Sequence, residues 1–172
     1  GGYRSGHDRI IDNMLMDGLE DAYATGRSMG DFGEATAEAY QFNRADQDAY
    51  AIETLTRARK AVETGAFKAE IVPITVVDKS GPRDIADDEH PLKVDPAKIA
   101  KLKPAFRANG TITPAASSAN ADGAAALILT RCSLADREGM PILAVIHGHA
   151  THRQEPQGVT TAPIPATRKL PD

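Results

Sequence analysis

Residues 109–130 read NGTITPAASSANADGAAALILT. Threonine, serine, alanine, glycine and asparagine dominate its first part, and almost none of them can fill a core. Its end, AAALILT, is a nearly continuous apolar run, the pattern of a strand covered on both faces. Asp122-Gly123 is a turn signal just ahead of that run. Small residues before a buried strand have two readings. One is a long turn; the other is a gap kept open because something large, not a side chain, occupies it.

Working outward, EIVPITVV at 70–77 is β-branched and reads as a strand, with Pro73 pushing it toward an edge or a bulge. ILAVIHGHA at 142–150 is another strand candidate. Helical spacing appears three times upstream. In residues 8–23, Ile10, Ile11, Met14, Leu15, Leu19 and Tyr23 fall three or four apart opposite Asp12, Asn13, Asp17, Glu20 and Asp21, predicting an amphipathic helix. The glycine-bearing ATGRSMGDFG reads as a loop leading into a short helical piece at EATAEAY. A longer helix is predicted over 44–64, with Ala45, Ala49, Ile52, Leu55, Ala58 and Val62 as its apolar stripe, Asn43 as N-cap and Gly65 as terminator.

The segment DKSGPRDIADDEHP is turn-rich and acidic; Asp95-Pro96 then signals a short helix at AKIAKL, and Ser133 reads as a cap for a helix at LADREG. The class is mixed α/β, without internal repeats or low-complexity segments.

A chain of 172 residues is long enough for one domain with a real core. Its net charge of -4 provides no general basic field to hold nucleic acid or an anionic membrane. No apolar run approaches the roughly 18 residues of a membrane span and no leader pattern is present, so the cytoplasm is the expected location. One cysteine, Cys132, rules out an internal disulfide framework. The chain opens at Gly1 without methionine and closes in PIPATRKLPD, a proline-broken start toward a helix; an internal piece of a longer protein is the expectation.

Several groups invite a chemical role. His147 and His149 are two apart and share a strand face, with His152 near enough in sequence to complete a metal site, but no zinc-binding motif accompanies them and polar residues at a strand end suffice. Cys132 lacks the glycine-flanked turn that exposes a nucleophilic sulfur and reads as a small residue at a strand-to-helix junction. Asp87, Asp88 and Glu89 offer cation ligands, though acids in a turn are ordinarily a solvated face. Met14, Met16 and Met29 read as packing. Met29 stands apart because Gly26 and Gly30 flank it, where a backbone can approach a ligand closely.

Taken together, the segments GGYRSGHDRIIDNMLMDGLEDAY, MGDFGEATAEAY, RADQDAYAIETLTRA, EIVPITV, LKPAFRANGTITPAASSANADGAAALIL and APIPATRKL resemble the thiolases, the family of acetyl-CoA acetyltransferases and 3-ketoacyl-CoA thiolases, in the family's order and near its spacing. The resemblance implies an α/β thiolase-like fold. Residues 1–118 would be the family's loop domain with coenzyme A binding and oligomer contacts, 119–141 the end of the N-terminal half, and 142–172 the start of the C-terminal half. It implies an acyltransferase that moves an acyl group between an enzyme cysteine and coenzyme A, cleaving or forming a 3-ketoacyl-CoA.

Acyl-CoA would be the substrate, and a homo-oligomer, dimer or tetramer, the assembly, with GGYRSGH near the tetramer loop. The family's acylated cysteine lies upstream of the matching region and its histidine and second cysteine downstream, so no catalytic residue is assigned here and the piece alone is expected to be inactive. A non-catalytic module that keeps a coenzyme A or assembly surface is the second reading.

By the same resemblance, Ser118 matches the family serine beside the pantetheine arm of coenzyme A. Leu19 and Met29 match apolar residues lining the acyl or pantetheine pocket, Phe106 an aromatic beside the coenzyme, and Lys93 a basic position facing coenzyme phosphate. The small residues of 110–123 would then border a channel for the cofactor. Ala116 stands where the family often has asparagine and Ser28 where biosynthetic members often carry histidine, and both departures count against the biosynthetic subclass.

Overall fold

The computed structural model describes residues 5–7 and 9–170. The chain divides into two compact units, Gly1–Ser118 and Ala119–Asp172. Part of GGYRSGH, assigned above to oligomer contacts, lies outside the described residues.

The first unit is organised by two helices, α1 (Met29–Ala39) and α2 (Arg44–Glu63). MGDFG is therefore helical rather than loop. Ser28 makes this possible: its hydroxyl accepts from the Asp31 N–H while the Asp31 carboxylate accepts from the Ser28 N–H, a reciprocal capping box. α1 ends at Gln41, a non-glycine residue at φ 56°, where Gln41 and Phe42 donate N–H bonds back to Glu38 and Ala37. α2 matches its expected ends. Asn43 accepts from the Asp46 N–H, and Gly65 takes φ 65° while Gly65 and Ala66 donate to Val62 and Ala61.

The packing face of α2 is only in part the predicted stripe. Ala45, Ala49 and Ile52 are exposed, whereas Asp48 and Ala51 are buried and Arg44, Leu55, Ala58, Arg59 and Val62 are half-buried. Two arginines explain the choice of face. Arg44 Nε donates to both Asp48 oxygens at 2.8 Å and its Nη2 to the carbonyls of Ile99 and Leu102. Arg59 donates to the carbonyls of Pro91 and Val94. Those carbonyls close two short helices, α3 (Glu89–Lys93) and α4 (Pro96–Ile99), whose last turns leave acceptors without intrahelical partners. α2 is thus a spine, and residues 91–102 run back along it.

Asp95 caps α4 at its expected proline start. The preceding segment, read as turns, contains more: β1 (Ile74–Asp78) pairs antiparallel with β2 (Gly81–Ile85) in a register from Ile74↔Ile85 to Asp78↔Gly81. Pro73 falls just before β1, where it removes no ladder bond. Of the amphipathic helix predicted at 8–23, only 13–19 is helical among the described residues, which do not include Asp8. It closes with a wide turn in which the Glu20 N–H reaches the Leu15 carbonyl. Ile10 is 96 % exposed, so the stripe has no surface to pack on and periodicity alone does not sustain the helix.

The second unit holds α5 (Cys132–Glu138) and α6 (Pro163–Arg168). α5 begins at Cys132 behind Arg131, not behind Ser133, and Gly139 ends it at φ 62°. The terminal proline-rich segment does form a helix, α6, after a tight turn at Pro156–Thr161. The strands predicted at 124–130 and 142–150 form no ladder among the described residues, and Ile128 and Leu143 are more than nine-tenths exposed. A strand exists through the neighbour that takes its N–H and C=O groups; apolar sequence does not substitute for one.

Candidate functional site

The small residues of 109–118 lie against the two long helices, and a buried carboxylate fixes how. Glu34, in the second turn of α1, is 4 % exposed. It accepts from the Thr111 N–H at 3.0 and 2.9 Å and from the Ile112 N–H at 2.9 Å. Gly110 allows the approach, since a Cβ there would meet Glu34 Oε1 at 2.2 Å. Gln47 of α2 adds a bond from its side-chain amide to Thr111 Oγ1 at 2.8 Å. Thr113 is fully buried and starts a tight turn, Pro114–Ala116, closed by the Ser117 hydroxyl on the Thr113 carbonyl.

Beyond that turn the chain borders a cleft of about 620 Å³. One wall is Asp46, Gln47, Tyr50, Ala51 and Thr54 of α2; the other is Ala115, Ala116, Ser117 and Ser118, with Phe42 at one end. The stretch that opened the question therefore forms a wall with little side-chain volume over a space large enough for a ligand.

Leu19, Met29 and Phe106 come together elsewhere in the unit. A backbone bridge joins Glu20 to Ser28, which brings Leu19 to the start of α1 beside Met29. Phe106 lies flat on the same turn, because a Cβ on Gly30 would meet its ring at 2.1 to 2.3 Å. Gly30 thus admits an aromatic ring of this chain rather than a ligand, a correction to the reading of that glycine, whereas Gly26 has open space beside it. Leu19, Met29 and Phe106 are all between a third and two-fifths exposed.

Lys93 ends α3, where its ammonium pairs with Glu89 at 3.2 Å. Lys93 and Arg83 hold the Glu89 carboxyl below the usual carboxylate range. The predicted residues form three groups: Ser118 on the cleft, the apolar trio at the start of α1, and Lys93 beside the far half of α2.

The other chemical candidates resolve plainly. Asp88 caps α3 and Glu89 forms ion pairs, so the acidic run is used structurally. Among the described residues no three His, Cys, Asp or Glu side chains converge as a metal site, and His152 Nε2 instead lies 3.0 Å from Gln154 Oε1. Cys132 is exposed at the first turn of α5. No helix among the described residues is long and apolar enough to cross a membrane. Asp31 is held below the ordinary carboxylate range, first by the Ser28 N–H, then by the Ser28 hydroxyl, with Arg107 adding to both.

Comparison with known proteins decides the family. The family described as thiolase, N-terminal domain, matches residues 1–133. The chain belongs to the thiolase family. Acetyl-CoA acetyltransferase 2 of Arabidopsis thaliana is 44 % identical over 171 residues, covering 98 % of this chain and 42 % of that protein. The crystal structure of the Bacillus anthracis acetyl-CoA acetyltransferase superposes with a TM-score of 0.85 at 36 % identity, over 98 % of this chain and 42 % of that one.

A structure of the Acat5 thiolase from Ascaris suum in complex with coenzyme A gives a TM-score of 0.86 at 34 % identity, over 99 % and 43 %. This thiolase chain therefore spans about two-fifths of the length of the relatives it matches, and its α/β class is that of solved thiolases. Glu34, Gly110, Arg44 and Arg59 were not singled out from the sequence; apart from the i,i+4 pair of Arg44 with Asp48, their partners lie 32 to 78 residues away.

Proposed function

We propose that this chain is the coenzyme A-binding portion of an acetyl-CoA C-acyltransferase. The whole enzyme transfers an acyl group between a cysteine sulfur and coenzyme A, cleaving or forming a 3-ketoacyl-CoA. The observation that carries the reading is the cleft whose wall, 115–118, is built of alanine and serine inside a thiolase-family chain. Backbone amides and the Ser118 hydroxyl there offer hydrogen bonds to the amides of the pantetheine arm. Leu19, Met29 and Phe106 supply apolar contact, and Lys93, released from Glu89, a cation for a coenzyme phosphate. Residues 1–118 act as the family's loop domain in this scheme, and the complete protein works as a cytoplasmic homo-oligomer.

Covalent transfer needs an activated thiolate, an acid/base partner and oxyanion donors, and the scheme assigns these to parts of the relatives that this chain does not span. Calorimetric titration with coenzyme A tests the proposal: saturable heat, weakened by Ser118→Val, is expected, together with no thiolysis of acetoacetyl-CoA by the chain alone. Absence of heat at millimolar coenzyme A, or robust thiolysis, would overturn it.

A further inference from the structure

Glu34 is a carboxylate in the interior of the first unit with no part in acyl chemistry, and its placement is unusual in one respect. It lies on α1, yet every bond the structure gives it goes to residues 111 and 112, 77 and 78 positions later in the chain. Those two residues begin the segment that ends at Ser118. We infer that Glu34 is a positioning residue for the coenzyme-facing segment 111–118, an inference that rests on the coenzyme A reading above.

The geometry fixes both direction and register. Two consecutive backbone N–H groups point at one carboxylate, so the segment can neither rotate about its axis nor slide by a residue without leaving a partly buried donor, or the buried carboxylate, unpaired. The chain then has only Ile112 and Thr113 before the tight turn at Pro114–Ala116, whose Ala116 N–H bonds the Thr113 carbonyl at 3.0 Å. Rigid backbone thus leads from the Glu34 anchor to the wall of the cleft. A wall of alanines and serines has no bulky side chain to lock it by packing, and an electrostatic anchor at its root replaces that lock.

A glutamine at 34 keeps Oε1, which receives the Thr111 and Ile112 N–H groups at 3.0 and 2.9 Å, but exchanges the second oxygen for an N–H donor facing Thr111. It should retain part of the function. Alanine should lose it. If the segment then adopts the competent path in about a tenth of molecules, apparent affinity for coenzyme A falls about tenfold.

The test is made on the full chain. Affinity for coenzyme A is read by calorimetry, and amide hydrogen exchange of 111–118 is read without ligand, for the unsubstituted chain, Glu34→Ala and Glu34→Gln. Gly65→Ala is the control for plain loss of stability: it strains a left-handed position just past the end of α2, about 27 Å from Gln47, and is not among the residues of the cleft or of segment 111–118.

The expected result is about tenfold weaker binding and faster exchange of 111–118 for Glu34→Ala, with α2 still protected, intermediate values for Glu34→Gln, and unchanged affinity for Gly65→Ala. If Glu34→Ala does not fold, Glu34→Gln against Gly65→Ala carries the same comparison. Unchanged affinity or unchanged exchange in the Glu34 variants, or equal loss in Gly65→Ala, overturns the positioning role alone. Failure of the unsubstituted chain to bind coenzyme A overturns the coenzyme reading and this inference with it.

Discussion

Replacing Arg44 by methionine keeps the length and apolar stem of the side chain and removes its donors. Three partners are affected. Asp48, whose side chain is 13 % exposed, loses its ion pair with Arg44, and the carbonyls of Ile99 and Leu102 lose the guanidinium that links them to α2. Breaking a fully buried pair costs about 3–5 kcal/mol and an exposed one under about 1 kcal/mol. The Arg44 side chain is 27 % exposed, so solvent screens part of the interaction, and about 2–3 kcal/mol is the expected loss.

Asp48→Asn leaves an acceptor for Arg44 Nε and both carbonyl bonds in place, and should cost about 1 kcal/mol. The two changes share one contact, so the double variant should fall short of additivity by about 1 kcal/mol. Urea unfolding followed by tyrosine fluorescence suits the measurement, since the chain has no tryptophan and its four tyrosines all belong to the first unit. With a slope near the middle of the usual range, the midpoint for Arg44→Met should fall by about 1–2 M. A loss below about 1 kcal/mol, or strict additivity with Asp48→Asn, would refute the view of α2 as a spine held by this arginine.

Further outcomes are expected at the two ends of α1. Ser28→Ala should cost about 1 kcal/mol near neutral pH through loss of the cap. The Asp31 carboxyl is held below its unfolded value of 3.8. Its contribution is therefore present above that pH and lost as pH falls through the lower folded value, so the gap between Ser28→Ala and the unsubstituted chain should narrow on acidification. Urea midpoints across pH check this, and a constant gap would contradict it. Gln41→Gly should leave stability equal or raise it by up to about 1 kcal/mol, because the left-handed position carries a Cβ penalty that glycine lacks. Gln41→Val should lower the thermal midpoint.

The parts legible in the sequence are those whose causes are local. Asn43 and Gly65 bracket α2, and Asp95-Pro96 starts α4, because capping chemistry acts within a few residues. α1 has a local cause, the Ser28–Asp31 capping box, but the reasons its glycines are helical are distant. Gly30 and Gly33 look like loop residues, yet one admits the Phe106 ring and the other the Ile112 side chain, whose Cδ1 would lie 2.7 Å from an added Cβ. Glu34 reads as one more polar residue in GEATAEAY until residues 111 and 112 arrive from far along the chain. The β2 half of the hairpin hid behind Gly81, Pro82 and Arg83, none of them a strand former. Of the candidate site, the wall at 115–118 was visible in composition, and what anchors it was not.

The two arginines of α2 also act as a ruler. Arg44 and Arg59 are fifteen residues apart in one continuous helix, which sets their anchors about 22 Å apart along its axis. One residue inserted between them would turn one guanidinium about 100° away from its carbonyls. Length changes in this part of the chain should consequently be tolerated in the connection after Gly65 or at the tip of the hairpin, while α2 accepts substitution but not insertion or deletion.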